Sequence, residues 1–329
     1  MNGTRVLAVA AMLVALGAFG CSSDAVSATI GFEEPMRARP SSSGSGQARA
    51  QFIEGEPSLR EGGPTTTLET PGDVVLPPGK VGKQVLGFAG LDAVAVGLRF
   101  RDFGSGYWIV PTGAPDRTQT PPLVGWRAEI DVGYGLPPGL TKLRAFAIDD
   151  SGRAGPPTDA TVCLAPVIPD NLAACDPSRK PPAIVLSLSW DTNVDLDLRL
   201  VTPSGKVLGA GKPTTAIGDA GGSDAGASTV GRLEFDSTRG CSVDGRRREN
   251  VIWQGRPEPG KYRAYASLFD ACGLSSVRFL LDLYAAGEKA SPEAVTPQQR
   301  IPLGQGFLLA IDANGGATNG LFVAEFTLE

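Results

Sequence analysis

The feature that most constrains the fold is a two-residue alternation of apolar and charged side chains between Val194 and Leu200. Apolar residues occupy the even positions, whereas Asp195, Asp197 and Arg199 occupy the odd ones. Successive side chains of a β-strand point to opposite faces, so the pattern predicts a strand with one buried apolar face. A Pro-Ser-Gly turn sequence follows and ends it.

Similar alternations recur in both halves of the chain, separated by Gly- and Pro-rich turns and without a helical period. A length of 329 residues, 42% of them hydrophobic, allows about two domains and tails. The sequence therefore predicts an all-β protein with two β-sandwich domains in tandem, at residues 80–166 and 183–329. The prolines of residues 167–182 disfavour helix and central strand, which predicts an extended linker between the domains.

The chain opens with a pattern typical of export. Arg5 precedes an apolar run from Val6 to Phe19, which is too short to span a membrane comfortably, so residues 1–20 are predicted to be a signal peptide. The sequence L-G-A-F-G-C, which ends at Cys21, resembles a bacterial lipobox. That resemblance implies a lipid on Cys21 and an outer-membrane lipoprotein; cleavage by an ordinary signal peptidase would instead give a secreted protein. Residues 21–79, rich in Ser, Gly and Pro, are predicted to be a flexible stalk.

Charge and composition exclude several functions. A net charge of −5 argues against a nucleic-acid partner. The chain has no His, which removes imidazole-based triads and His-ligated zinc or haem. No nucleophile is followed by a recognisable base, so the sequence predicts a protein that is not an enzyme. The alternative is a hydrolase that uses a pair of carboxylates as acid and base, or an accessory domain of an envelope hydrolase.

Four cysteines remain besides Cys21, and an even number in an exported protein predicts two disulfides. Four cysteines allow three connectivities. Pairing of nearest neighbours gives the simplest bridges, Cys163–Cys175 and Cys241–Cys272.

Two Asp inside a strand need an explanation, because Asp is depleted there. A cation is one: Asp191, Asn193, Asp195 and Asp197 fall on one side of an extended chain, and Asp236 ends a later strand that could lie alongside. Such hard oxygen ligands suit Ca²⁺. The other explanation is a solvated strand face, with Arg199 as a neutralising neighbour.

Several short motifs of the second domain occur in an order that resembles the YfaP-like domain of unknown function, which is similar to pre-peptidase C-terminal domains. They are L-S-W-D at 188–191, D-L-D-L at 195–198, P-S-G at 203–205, L-E-F-D at 233–236, R-E-N-V at 248–251 and P-G-K-Y at 259–262. The resemblance implies an accessory or binding module. Because pre-peptidase-type domains include calcium binders, it also implies a role for Asp195, Asp197 and Asp236, and less directly for Glu249 and Asn250.

In the first domain, L-P-P-G-L at 136–140 followed by the alternating run from Leu143 to Asp149 resembles the last hairpin of bacterial Ig-like domains. Together the patterns predict a non-enzymatic binding or scaffolding protein of the cell envelope, with Ca²⁺ as its possible cofactor. Its partners would be the membrane, through Cys21, and an envelope protein or glycan.

Overall fold

A computed structural model describes residues 35–41, 50–59, 61–72, 74–118, 121–215, 229–286 and 298–329. The ordered elements there are β-strands apart from two 3₁₀ helices of three residues each, Arg239–Cys241 and Ala310–Asp312. The predicted all-β fold is confirmed. No described helix has the length and apolar character that crossing a membrane requires. The predicted signal peptide and the predicted lipidation site at Cys21 lie outside the described residues.

The first unit consists of two sheets packed face to face. One has the order β1-β8-β4, with β7 also paired to β8, and the other has the order β2-β6-β5-β9-β10-β3. Its strands are β1 (Met36–Pro40), β2 (Gln51–Glu54), β3 (Val75–Leu76), β4 (Lys83–Ala89), β5 (Ala93–Phe100), β6 (Gly106–Pro111), β7 (Pro115–Asp116), β8 (Leu123–Val132), β9 (Gly139–Asp149) and β10 (Thr158–Leu164).

The first core forms where the alternating residues of the two sheets meet. Leu98 of β5 and Leu143 of β9 are fully buried, as is Ile130 of the opposite sheet. Trp126 also points inward, and its Nε1 donates to the hydroxyl of Thr66 at 2.9 Å. A buried indole N–H therefore keeps a hydrogen-bond partner, as burial of a polar group requires.

The structure corrects the predicted stalk at residues 21–79. Within that segment β1 pairs with β8, β2 with β6 and β3 with β10. Met36 is 2% exposed and Leu76 1% exposed. The segment is polar on average, which is typical of a stalk. Its few apolar residues nevertheless lie at positions that point into the core. Residues 21–34, 42–49, 60 and 73 of the predicted stalk lie outside the described residues.

The second unit also has two sheets, ordered β14-β15-β11-β17-β18 and β13-β12-β16-β19. Its core includes Leu188, Leu198 and Leu281, together with an edge-on pair of Trp253 and Tyr262 rings whose centroids lie 5.9 Å apart. Its strands are β11 (Ile184–Trp190), β12 (Asp195–Val201), β13 (Val207–Leu208), β14 (Arg232–Leu233), β15 (Arg248–Trp253), β16 (Gly260–Asp270), β17 (Ser276–Ala286), β18 (Gln298–Leu309) and β19 (Leu321–Leu328).

The linker differs from the extended segment predicted for residues 167–182. It contains a turn over residues 171–175, in which Asn171 and Leu172 have positive φ of 59° and 63°. A carboxylate oxygen of Asp170 accepts from the N–H of Ala174 at 2.7 Å and holds this turn. The prolines lie outside the turn, so their local preference does not govern it.

Both predicted disulfides are present. One joins Cys163 at the end of β10 to Cys175 in the linker turn. The other joins Cys241, at the end of a 3₁₀ helix, to Cys272 in the turn between β16 and β17. Each bridge therefore fixes an irregular segment to a strand or to a turn between two strands.

Candidate metal centre

The alternation in β12 sends its leucines into the core and its two aspartates to the opposite face. That face is not solvated: Asp195 and Asp197 are each 3% exposed. The solvated-face interpretation of these residues is therefore wrong. Burial of a carboxylate without a partner is costly, so the surroundings of this pair decide what the site can do.

Asp236 joins the pair by a route that differs from the prediction. The strand before it, β14, does not lie alongside β12 but belongs to the other sheet. The loop between β14 and β15 brings Asp236 to β12 instead. One carboxylate oxygen from each of Asp195, Asp197 and Asp236 lies within 4.8 Å of the others. We call these three residues the acid cluster.

Glu249 is a fourth carboxylate at the same place. It is fully buried, and its Oε2 accepts from the N–H of Leu198 at 2.7 Å. Its Oε1 accepts from the N–H of Ser237 at 3.2 Å. Glu249 thus satisfies two backbone donors and fastens the loop of Asp236 to β12.

Positive charge near the acid cluster is sparse in the described part of the chain. Nη2 of Arg199 lies 4.0 Å from an oxygen of Asp197. Nε of Arg239 lies 3.6 Å from an oxygen of Asp236, but the Arg239 side chain is 83% exposed. An exposed ion pair contributes little. Two loosely placed guanidinium groups thus face four carboxylates.

The pKa values express this imbalance. Burial, reinforced by the charges of Asp195 and Asp236, raises the pKa of Asp197 to about 6. Burial also raises the pKa of Asp195, although the N–H of Gly240 opposes the shift. It raises the pKa of Asp236 and takes that of Glu249 well above its ordinary range. Each shift has the sign expected when an ionised form lacks a sufficient counter-charge.

Two oxygens beside the cluster lack hydrogen bonds. Among the described residues no donor reaches Oδ1 of Asp236, and the hydroxyl of Thr238, a residue 1% exposed, has no partner either. Buried oxygens are seldom left unpaired, and an unseen ion is one of the established reasons. Asp236 belongs to the cluster, and Thr238 follows it by two positions.

The structure separates Asp191 and Asn193 from the cluster, contrary to the prediction. Oδ1 of Asp191 accepts from the N–H of Arg278 at 2.9 Å, so this side chain extends the pairing of β11 with β17. Asn193 is exposed in the turn before β12, whereas Asp195 and Asp197 are buried. The prediction requires an extended chain through residues 191–193, but the chain bends there.

The available ligands are suited to one type of ion. Carboxylate and hydroxyl oxygens favour Ca²⁺, which takes about 6–8 oxygens in irregular geometry. Zinc prefers thiolate and imidazole, but the chain has no His and the four cysteines of the described residues are in disulfides.

The acid cluster does not resemble a hydrolytic centre. A groove of about 960 Å³ runs along the outer face of β17 and β18, past Arg278 and Phe307. None of the three acids lines this groove. A glycosidase needs its two carboxylates on either side of an accessible substrate bond, and Asp195 and Asp197 are almost closed to solvent.

Comparison with known proteins adds no established relative. The sequence matches no protein-family model, and no curated protein matches it. Fibronectin(III)-like modules of Clostridium thermocellum CbhA are 10% identical over 72% of this chain and 92% of theirs, with a TM-score of 0.20. A variant of BcpA, the major pilin subunit of Bacillus cereus, is 9% identical over 73% of this chain and 66% of its own, with a TM-score of 0.20.

Proposed function

We propose that this chain is a non-enzymatic binding or scaffolding protein of the cell envelope, and that a Ca²⁺ ion at Asp195, Asp197 and Asp236 stabilises its second sandwich. The observation that carries the proposal is the burial of Asp195 and Asp197, within 4.8 Å of the half-buried Asp236 and without matching positive charge. A bound cation would supply that charge. The ion's role would be structural, because the two buried acids are closed to a substrate.

The cation is tested by calorimetric unfolding of the full chain with Ca²⁺ and with a chelator. An ion at 100 times its dissociation constant adds about 2.7 kcal/mol to the free energy of unfolding. We expect the transition of the second unit to move up in temperature while that of the first stays in place. An equal amount of Mg²⁺ should shift it less, since Mg²⁺ demands octahedral geometry and keeps its water.

The control is the double variant Asp195→Asn/Asp197→Asn, which removes two charges at nearly constant volume. It should unfold at the same temperature in both buffers. If the unchanged chain also unfolds at one temperature in Ca²⁺ and in chelator, the cation site does not exist.

The location in the cell envelope is supported by the lipobox-like sequence before Cys21 and by two disulfides, which persist in oxidising compartments. We expect labelled palmitate to enter the full chain expressed in a bacterium and to be lost in Cys21→Ala. Cys163→Ser/Cys175→Ser serves as a control that retains Cys21. Equal labelling of the unchanged chain and Cys21→Ala, or no labelling of either, would contradict the anchor. The YfaP-like resemblance remains a prediction that favours a glycan or envelope protein as the partner.

A further inference from the structure

The loop that carries Asp236 has a strained backbone. Thr238, Gly240 and Cys241 have positive φ angles of 61°, 56° and 62°. This left-handed conformation is easy for glycine but costly for a β-branched residue such as Thr238. Such a conformation persists only where the surroundings impose it. The loop therefore depends on the contacts that hold it.

Two of those contacts are made by adjacent residues of the loop, Gly240 and Cys241. The N–H of Gly240 donates to Oδ2 of Asp195 at 2.7 Å, which places the loop backbone against the acid cluster. The next residue, Cys241, forms the disulfide with Cys272. The hydrogen bond to Asp195 and the covalent bond are thus one residue apart.

The far end of the disulfide lies against the strand that pairs with β12. The N–H of Cys272 donates to Oδ1 of Asp270 at 2.7 Å, and Cys272 itself has a positive φ of 51°. Asp270 is the register partner of Asp195. The bond therefore links the loop of Asp236 to the strand pair that supplies the other two acids.

Without this bond, the loop would be held near the acids by its hydrogen bonds to Glu249 and Asp195 and by the packing of the buried Ser237 and Thr238. Ordering one residue costs about 1–2 kcal/mol in backbone entropy, and a ligand that needs an ordered loop must meet that cost when it binds. The disulfide holds the loop in place before an ion binds, so binding costs less ordering entropy. An ion bound between the loop and β12 would in turn hold the two cysteines together.

We infer that the Cys241–Cys272 disulfide positions the cation site, so that the disulfide and the ion stabilise each other. The inference rests on the proposed Ca²⁺ site and adds to it a covalent positioning element. Coupling between two binding equilibria is reciprocal. The factor by which reduction weakens Ca²⁺ binding must equal the factor by which Ca²⁺ disfavours reduction.

The first experiment measures the reduction equilibrium of both disulfides in one sample of the full chain. In glutathione buffers, two glutathione thiols give up two electrons and two protons, one protein disulfide becomes two thiols, and oxidised glutathione forms. Trapping of thiols and peptide mass mapping then report each bridge separately. We expect saturating Ca²⁺, compared with chelator, to shift the equilibrium of Cys241–Cys272 about tenfold towards the disulfide. Cys163–Cys175, in the linker, is the internal control and should not shift.

The second experiment measures Ca²⁺ binding by calorimetric titration. Cys241→Ser/Cys272→Ser should bind Ca²⁺ about tenfold more weakly than the unchanged chain. The matched variant Cys163→Ser/Cys175→Ser should bind it with unchanged affinity. Circular dichroism of both variants, with and without Ca²⁺, shows whether the second unit remains folded, and the equilibrium in the intact chain does not depend on either variant.

Three outcomes overturn the inference. If the unchanged chain binds Ca²⁺ but the ion leaves the equilibrium of Cys241–Cys272 unaltered, the coupling is absent and the proposed function stands. If both disulfides shift equally, the effect does not belong to the site. If the unchanged chain does not bind Ca²⁺, the cation site and the inference fall together.

Discussion

At the scale of single residues, Asp197 is the most informative side chain. It is 3% exposed, the nearest positive group in the described part of the chain is 4.0 Å away, and its charge is opposed by two neighbouring acids. An ionised carboxylate in this position destabilises the fold, and the cation of the proposed function would reverse that effect. One substitution should therefore have effects of opposite sign in the two conditions.

We expect Asp197→Asn to raise the free energy of unfolding of the second unit by about 1–3 kcal/mol in chelator at neutral pH, because it removes a buried charge at constant shape. In saturating Ca²⁺ the same change should lower it, because a ligand is lost. Calorimetry in the two buffers measures both. Asp92→Asn, at an exposed position of the first unit, is the control and should change neither value. Destabilisation of equal size in both buffers would contradict the argument.

The pH dependence follows from the same residue. Its pKa in the folded protein, about 6, lies above the ordinary value of 3.8, so the folded state holds the proton more tightly. Its contribution to stability is complete below about pH 4 and disappears as pH rises through 6. In chelator, the free energy of unfolding should therefore fall by about 3 kcal/mol from Asp197 alone between about pH 3 and 7, of which about 1.3 kcal/mol is lost between pH 5 and 7.

Saturating Ca²⁺ should reverse that slope, because the ion competes with protons for the same oxygens and binds better as pH rises. Unfolding by denaturant at a series of pH values measures both slopes. Asp197→Asn should flatten the slope in chelator without abolishing it, since the pKa values of Asp195 and Glu249 are also raised. If the free energy of unfolding in chelator rises from pH 5 to 7, the acid cluster does not lack positive charge, contrary to what its raised pKa values indicate.

Part of the acid cluster could be predicted at this scale. Asp195 and Asp197 are conspicuous because charge interrupts a strand pattern. Glu249 carries a similar signal, since it is in phase with Val251 and Trp253 on the inner face of β15. Asp236 lies beside the other two acids as predicted but reaches them from a loop and not from a neighbouring strand, because its path from one sheet to the other depends on loop geometry. Thr238 gives no sequence signal, as its burial follows from a left-handed turn.

At the scale of elements, strands that follow a strict alternation were predicted closely. The alternation between Val194 and Leu200 forms β12 (Asp195–Val201). In contrast, β18 (Gln298–Leu309) carries Pro302 and Gly304, residue types that are unfavourable inside a strand. The proline is accommodated because β18 is an edge strand and its pairing shifts there.

The close contact between Gly97 of β5 and the ring of Phe146 predicts the effect of a substitution at this glycine. Gly97 lies beside Phe146, and an added Cβ would overlap that buried ring. We expect Gly97→Ala to lower the free energy of unfolding of the first unit by about 1–3 kcal/mol, the usual cost of overpacking. In Gly125→Ala of β8 the added Cβ would lie 3.9 Å from the nearest atom, a ring carbon of Phe88. That variant should remain within about 0.5 kcal/mol. Denaturant unfolding compares the two, and equal stability would show that β5 can relax.

At the scale of the whole molecule, two sandwiches were predictable because turn-separated alternations fill both halves of the chain. Their extent was less predictable. The described strands of residues 36–76 belong to the first sandwich, although their composition is typical of a stalk. Composition averages over a segment, whereas the sheet needs only a few apolar side chains at the correct register.

The linker bridge should stabilise the first unit selectively. Cys163–Cys175 closes a loop with a sequence separation of 12. We expect Cys163→Ser/Cys175→Ser to lower the free energy of unfolding of the first unit by about 3 kcal/mol, by the chain-entropy relation. The transition of the second unit should not move. Calorimetry resolves the two, and Cys241→Ser/Cys272→Ser should give the complementary result. Loss of stability in both units from either variant would mean that they unfold as one.

The two bridges also determine how the molecule would carry a mechanical load applied between its ends. A segment of 12 residues, fully extended, is about 40 Å long, and one of 31 residues is about 105 Å long. Each bridge spans less than 6 Å between Cα atoms. Tension would pass through the sulfur atoms, and β15 and β16 would remain inside a closed covalent loop. If Cys21 tethers the chain to a membrane, the oxidised protein would extend by well over 100 Å less than the reduced one before it became taut.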